Sequence, residues 1–209
     1  MDYRTHLEKD KKLKRLIAGH EAFCVTRRKD IVYYLVVSIM SQQLSSKAAA
    51  TIHGRFLDIY KGRIPSPEEI AATPVEVLRG VGLSGAKASY LHNVARFAIE
   101  QGFDRRKLHK MDNEEVIAYI TQIKGVGRWT AEMLLMFALG REDVFSPDDI
   151  GIQNAMIFLY KLDNSDKKAF RSALLRISET WSPYRTYACL HLWHWKDNRP
   201  AAKKPARKK

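Results

Sequence analysis

Residues 123–153 contain the side chains of this sequence that are best suited to chemistry. Asp148 and Asp149 are adjacent in the segment FSPDDIG, and a carboxylate held near the start of a helix can act as an acid, as a base or as a stabiliser of positive charge. Earlier in the same stretch, Gly125 and Gly127 form a Gly-x-Gly turn ahead of an apolar helical pattern. A turn that presents backbone amides at a helix start is suited to binding phosphate. The stretch therefore combines a candidate phosphate site with a candidate acid or base.

The Gly-x-Gly turn has two interpretations. It is either an ordinary connection between helices, where glycine is also favoured, or a hairpin whose amides bind a nucleic-acid backbone. The segment LRGVGLSGAKASYL (78–91) resembles IKGVGRWTAEMLL (123–135), and two such turns favour phosphate binding over coincidence. The residues predicted to form the second hairpin's contact with the backbone are Lys124, Gly125, Val126, Gly127, Arg128 and Thr130.

The net charge of +13 and the isoelectric point near 9.8 indicate a polyanionic partner, although a basic and merely soluble surface is the alternative. Residues 196–209 hold seven Lys or Arg and one Asp, yet the rest of the chain still carries +7. The charged N-terminal segment does not resemble a signal peptide, and no run of about 18 apolar residues predicts a membrane helix. We therefore expect a protein that binds a polyanion and does not associate with a membrane.

Helix-length segments separated by Gly and Pro cover the chain, and none shows the sustained alternation of a strand, so the sequence predicts an all-α fold. Asp30 is a typical N-cap for the apolar segment that follows it, and Ser66 with Pro67 is typical of a short helix start. The predicted helices cover about 5–18, 31–44, 46–60, two short segments within 64–83, 84–102, 111–125, a segment from about 129, 150–161, 166–179 and 184–196.

Several of these segments resemble the helix-hairpin-helix-Gly/Pro-Asp superfamily of DNA glycosylases, and most nearly its 3-methyladenine DNA glycosylase II branch. The resemblance rests on KGVGRWTA followed by DVFSPDDIGIQ, and on SIMSQQLSSKAAATIHGRF, LRGVGLSGAKASYL and WSPYRTYACLHLW, in the expected order. It implies an active-site cleft between helical lobes at about 31–110 and 111–196, with an N-terminal helix and no N-terminal β-domain. The glycosylase domain is expected to cover 1–196, followed by a basic, disordered tail at 197–209.

By this resemblance the catalytic aspartate is Asp149, which would stabilise positive charge on the sugar or activate water against it. The alternative for both acids is helix capping, and we expect Asp148 to have that role. Arg185 is expected to support the site, for example by pairing with a carboxylate, with a surface or structural ion pair as the equal alternative.

Trp129 occupies the position at which relatives that also cut the strand carry a lysine nucleophile. Without an amine there is no Schiff base, so the resemblance implies a monofunctional glycosylase. The two cysteines are too few to hold an iron–sulfur cluster without other ligands. We expect no cofactor and no catalytic metal. The resemblance implies that a monovalent ion can bind at the hairpin carbonyls.

The base pocket implied by the resemblance is lined by Trp129, Trp193 and Met133. Methylated purines carry positive charge, and an aromatic face attracts such a ring by stacking and cation–π interaction. Core packing is the alternative for both tryptophans. Met133 stands where many relatives place a tyrosine.

A glycosylase must fill the gap that a flipped base leaves in the duplex. The residues predicted to do so are Gln42, Gln43 and Leu83, with the glutamines placed in a helix. An amide pair that bonds to the backbone at a helix end is the alternative for the glutamines.

The resemblance implies base-excision repair: release of alkylated purines, 3-methyladenine and 7-methylguanine, from double-stranded DNA by a monomer. A glycosylase for hypoxanthine, ethenoadenine, uracil or a mismatch is one alternative, and a non-catalytic DNA-binding module is another. The expected location is the cytoplasm with its nucleoid in a bacterium, or the nucleus in a eukaryote.

Overall fold

The computed structural model describes residues 2–198, and every regular element in that range is an α-helix, which confirms the predicted all-α fold. No helix in the same range is both long and apolar enough to span a membrane. The helices, in chain order, are α1 Tyr3–Leu7, α2 Lys11–Ile17, α3 Ile31–Ser41, α4 Ser46–Ile59, α5 Pro67–Ala72, α6 Val75–Gly80, α7 Gly85–Glu100, α8 Arg105–Lys110, α9 Asn113–Ile120, α10 Arg128–Phe137, α11 Ile150–Tyr160, α12 Lys167–Glu179 and α13 Arg185–Asn198.

The chain divides into two compact units at boundaries other than those predicted. One unit is Val25–Arg141, and the other joins the chain up to Cys24 with the chain from Glu142 onward. The predicted lobes at about 31–110 and 111–196 differ because α10 packs against α3, which keeps the second hairpin with the earlier helices. In the other unit, α2 packs against α13, so the N-terminal segment belongs with the C-terminal helices.

In the unit Val25–Arg141, the core forms around α3, which is apolar on most of its surface. The carboxylate of Asp30 accepts from the Tyr33 N–H at 2.8 Å and caps this helix, as predicted. Leu35, Val36 and Ile39 are fully buried, and α3 packs against α4, α7 and α10. These contacts fix the two glycine turns that precede α7 and α10.

In the other unit, α11 packs against α13 and the fully buried Trp181 lies before α13. Asp10 accepts hydrogen bonds from the Tyr160 hydroxyl at 2.6 Å and the Trp181 indole N–H at 3.1 Å. The Tyr3 ring stacks on the Tyr187 ring with centroids 4.0 Å apart. These contacts hold the N-terminal helices against the C-terminal ones.

Several predicted boundaries differ from the structure for local reasons. The lead helix predicted at about 5–18 is two helices, because the Asp10 side chain caps α2 through the amides of Lys12 and Leu13. Helix α8 was not predicted, because only Leu108 among its residues is buried and it lacks an apolar stripe. Residues 197 and 198, predicted to belong to the tail, are the last residues of α13, and the rest of the predicted tail lies outside the described residues.

Candidate active site

Asp149 is the N-cap of α11, and its carboxylate is held by two donors. The Ile152 N–H donates to Oδ1 at 2.8 Å, and the Trp193 indole N–H donates to the same oxygen at 2.9 Å. The side chain is neither fully buried nor fully exposed. An ionised carboxylate fixed at a helix start in this way can stabilise positive charge or accept a proton from water.

Trp193 therefore has a role that the sequence did not indicate. It was predicted as a wall of the base pocket, and the structure shows it as a hydrogen-bond donor to Asp149. Gly151 makes the approach possible, because a Cβ there would lie 3.0 Å from Asp149 Oδ1 and 3.1 Å from Trp193 Cδ1. The first turn of α11 is thus shaped to bring the carboxylate and the indole together.

The loop that leads to Asp149 is fixed along the first turns of α13. The Thr186 N–H donates to the Glu142 carbonyl at 2.9 Å, and the Tyr187 hydroxyl donates to Glu142 Oε1 at 2.6 Å. One step along the loop, the Val144 N–H donates to Thr186 Oγ1 at 3.0 Å. The loop before Asp149 is therefore bonded to the start of α13, and Trp193 of the same helix donates to Asp149. These contacts together position the carboxylate.

Arg185 pairs with Asp143 in the same loop, which fits both the predicted pairing with a carboxylate and the alternative of a structural ion pair. Its Nε lies 2.6 Å from Oδ1 and its Nη2 lies 2.9 Å from Oδ2. Burial by itself would raise the pKa of Asp143, but the hydrogen bonds from Arg185 and Ser182 outweigh it and lower that pKa. This two-pronged pair supports the loop rather than Asp149 directly.

The capping role expected for Asp148 is wrong. Asp149 caps α11, whereas the Asp148 carboxylate is exposed and forms an ion pair with Arg171 of α12. Asp148 and Arg171 also line a cavity of about 380 Å³ with Lys167. The chain direction at Pro147 turns only the second acid towards the amides of α11.

The second glycine hairpin has the geometry that its sequence predicts. Gly125 has a φ of +105°, and a Cβ at this position would lie 2.2 Å from Cγ of Tyr90, so only glycine fits. Gly127 is the N-cap of α10, where the first helical bond runs from the Ala131 N–H to the Gly127 carbonyl at 3.1 Å. The amides before Ala131 at this helix start are the groups that would face a phosphate.

Side chains of the hairpin differ in what they can offer to DNA. Lys124 is exposed, whereas Val126 and Thr130 are buried at 5% and 3% exposure, so these two could contribute backbone groups only. Arg128 pairs with both carboxylate oxygens of Glu114 and donates from Nε to Glu132 at 3.1 Å. Its charge is therefore balanced within the protein, which the sequence did not indicate.

Two members of the predicted base pocket lie on α10. Trp129 is 42% exposed in the first turn of the helix, so a large part of its side chain lies outside the core. Met133 is 6% exposed, and its backbone carbonyl accepts from the Tyr34 hydroxyl at 3.1 Å. The exposure of Trp129 argues against the core-packing alternative for that residue.

The predicted gap-filling residues occupy different environments. Gln42 and Gln43 follow α3 in a turn instead of lying in a helix, and Gln43 is exposed with a left-handed φ of 57°. The Lys87 ammonium holds this turn by donating to the Met40 and Gln42 carbonyls at 3.0 and 2.7 Å. Burial lowers the pKa of Lys87. The sequence did not point to this lysine, because its partners are on another helix.

Leu83 is 5% exposed and packs inside its unit. This disagrees with its predicted role in filling the gap left by a flipped base, because a side chain that enters the duplex must project from the protein surface.

His20 contacts two histidines of α13, His191 and His194. His20 Nδ1 lies 3.1 Å from His191 Nδ1, and the His194 ring meets the His20 ring edge-on. Within residues 2–198, no group of three His, Cys, Asp or Glu side chains is placed to hold a metal ion. Burial, followed by the charges of His20, Arg4 and His194, lowers the pKa of His191 to about 3.

Comparison with known proteins places the chain in a family. A family model described as HhH-GPD superfamily base excision DNA repair protein matches residues 36–179, a range that contains both glycine hairpins and Asp149. The chain belongs to this family. The matched range includes Asp149 but ends before Trp193. The indole that donates to the Asp149 carboxylate therefore comes from outside the matched range.

Two curated relatives align with most of the chain. DNA-3-methyladenine glycosylase 1 of Schizosaccharomyces pombe is 37% identical over 185 residues, which covers 88% of this chain and 80% of that protein. DNA-3-methyladenine glycosylase of Saccharomyces cerevisiae is 30% identical over 230 residues, which covers 90% and 76%.

Solved structures of HhH-GPD relatives share the fold. The S. pombe 3-methyladenine DNA glycosylase in complex with abasic DNA has a TM-score of 0.80 and 34% identity, covering 94% of this chain and 97% of that chain. A DNA-3-methyladenine glycosidase from Bacillus halodurans has a TM-score of 0.81 and 34% identity, covering 93% and 88%.

Proposed function

We propose that this HhH-GPD protein is a monofunctional DNA glycosylase that releases alkylated purines, chiefly 3-methyladenine and 7-methylguanine, and leaves an abasic site. The observation that carries the proposal is the Asp149 carboxylate, fixed through Oδ1 by the Ile152 amide and the Trp193 indole. The two named relatives and both solved structures described above are 3-methyladenine glycosylases, which supports the same activity.

The reaction breaks the bond between C1′ of the sugar and the base nitrogen, and the bonding electrons leave with the base. Positive charge grows on the sugar as this bond lengthens, and the Asp149 carboxylate stabilises it or takes the proton of the attacking water. The water oxygen bonds to C1′ and completes the abasic site. An N3- or N7-methylated purine is a cation that departs as a neutral base, so modest catalysis suffices.

Trp129 has two consequences for the proposed reaction. Its exposed ring can stack on a cationic purine, an interaction of about 1–2 kcal/mol in a dry pocket. Because it carries no amine, it cannot form a Schiff base with the sugar, and the strand stays intact. The proposed enzyme is thus a hydrolase without lyase activity.

The proposed partner is double-stranded DNA, bound by a monomer through the amides of the second hairpin. The reaction needs no cofactor. A monovalent ion at the hairpin carbonyls stays a prediction, and the Lys124 carbonyl that could bind it also accepts from Asn93 Nδ2 at 3.0 Å. The proposed location of the protein is that of the DNA it binds: the cytoplasm with its nucleoid in a bacterium, or the nucleus in a eukaryote.

Chromatography of the bases released from methylated DNA tests the proposal. We expect free 3-methyladenine and 7-methylguanine, strand breaks only after alkali, and no covalent product in the presence of borohydride. If only hypoxanthine, ethenoadenine or uracil is released from defined duplexes, the substrate is one of those lesions and not a methylated purine. The absence of any released base, with DNA binding retained, would make the protein a binding module.

A further inference from the structure

Helix α8 and the segment before α3 form a basic surface that the proposed reaction does not use. Arg27 and Lys29 of the segment are exposed, as are Arg106 and Lys110 of α8. Arg105 and Lys29 line the same cavity of about 500 Å³. This basic surface is defined by Arg27, Lys29, Arg105, Arg106, His109 and Lys110.

Positive side chains near His109 affect its pKa. Burial and then the positive charges of Arg27, Arg141 and Arg105 lower the pKa of His109. Arg141 donates to the carbonyls of Leu108 and Met111 at 2.9 and 2.6 Å, which ties the end of α8 to the end of the unit. Like charges held together in this way favour an anionic ligand.

The acids near the basic surface already have partners. Asp30, Asp104 and Asp112 each cap a helix by accepting a backbone N–H, of Tyr33, Arg106 and Glu115 respectively. They reduce the local charge, but within residues 2–198 none of them forms an ion pair with a side chain of the basic surface. The surface therefore keeps an excess of positive charge.

The basic surface lies at the opposite end of α10 from the glycine hairpin. The Arg28 N–H donates to the Ala138 carbonyl at 2.9 Å, and its Nε donates to the Phe137 carbonyl at 3.2 Å, which are the C-cap and the last residue of the helix. Ten residues of α-helix separate this end from Gly127, a distance of about 15 Å. Phosphates bound at the hairpin amides would thus lie about 15 Å from this end of the helix.

The composition of the surface favours nucleic acid over an acidic protein. Among the described residues, none of the large exposed apolar side chains comes from 27–29 or 105–110. Protein partners bury an apolar centre, whereas a phosphate backbone needs only spaced positive charges and counterion release. The ligand class that fits is a second segment of double-stranded DNA.

We propose that the basic surface of α8 and residues 27–29 is a second, sequence-independent DNA site, which lets one molecule hold a new duplex before it releases the first. This inference depends on DNA being the partner but not on which base is excised. Stopped-flow dissociation of the full chain from a fluorescent undamaged duplex, chased with unlabelled duplex, tests it. We expect the observed rate constant to rise in proportion to the concentration of unlabelled duplex, which requires both duplexes to be bound at once.

The variant R105Q/R106Q/K110Q removes three charges from the basic surface. It should reduce the dependence of the dissociation rate constant on unlabelled duplex by about fivefold or more, while single-turnover base release stays within about twofold. The control K167Q/K168Q/R176Q removes the same charge from the exposed face of α12 and should retain the dependence. Thermal unfolding verifies that both variants are folded.

Three results would overturn the second DNA site: a parental rate constant that does not change with unlabelled duplex, an equal loss in the α12 control, or acceleration by polyglutamate equal to that by duplex. The last result would assign the surface to an acidic protein. Loss of base release in the parental protein would instead contradict the proposed function.

Discussion

The hydrogen bond between Trp193 and Asp149 predicts a specific loss of catalysis in Trp193→Phe. Phenylalanine keeps an aromatic face but removes the indole N–H, which lies 2.9 Å from Oδ1. A hydrogen bond to a charged group contributes about 1.5–3 kcal/mol, and about 1.4 kcal/mol is tenfold in rate. Because the Ile152 amide still holds Oδ1, we expect the lower part of that range, a fall of about tenfold in the rate of base release.

Single-turnover release of 3-methyladenine from a methylated duplex measures this effect, with DNA affinity measured in parallel and expected within about twofold. Trp195→Phe is the matched control, because Trp195 is on the same helix and its ring contacts Phe158 with centroids 5.0 Å apart. Parental activity in Trp193→Phe, or an equal loss in Trp195→Phe, would refute the positioning role of the indole.

Three further predictions concern the backbone and the buried histidine. Gly125→Ala should lower the free energy of unfolding by at least about 2 kcal/mol in urea titrations, because its Cβ would lie 2.2 Å from the Tyr90 ring. Gly127→Ala, with nothing within 4 Å of its Cβ, should lower it by no more than about 1 kcal/mol, the cost of alanine in place of glycine at an N-cap. Similar losses in both would contradict the hairpin geometry. Gly151→Ala should slow base release severalfold with little change in thermal stability, since its Cβ meets the carboxylate and indole at 3.0 and 3.1 Å; unchanged release would show that the contact is not needed. The pKa of His191 is about 3 when folded and near its ordinary 6.5 when unfolded, so the unfolded state binds the extra proton between these values. The free energy of unfolding should therefore decrease as the pH falls through this window, by up to about 1.4 kcal/mol per unit, and His191→Phe should flatten that slope.

Local signals in the sequence predicted most of the fold. Asp30 and Ser66 cap the helices that their types indicate, because a cap depends on residues within one turn. The same reasoning was wrong at Asp10, where a cap between two short helices was interpreted as the interior of one. The sequence also carries no sign of α8, because Leu108 is the one buried residue among its six.

The candidate site was less accessible to sequence reasoning because its supports are distant along the chain. Asp149 was identified by a motif, but the indole that binds it is 44 residues away. Arg128 was expected to attract phosphate, and its pairing with Glu114 spans 14 residues between two helices. The Arg185–Asp143 pair could be foreseen only as a pairing of Arg185 with some carboxylate, because nothing local selects Asp143.

Base release by Asp149→Asn is the most direct test of the central claim. Asparagine is a good N-cap, and its side-chain oxygen can accept both hydrogen bonds that now reach Oδ1, so the fold should be retained. We predict that release of 3-methyladenine from methylated DNA falls by about a thousandfold, that DNA affinity stays within about twofold, and that Asp148→Asn retains activity. Release by Asp149→Asn at the parental rate would contradict the assignment of this carboxylate to catalysis.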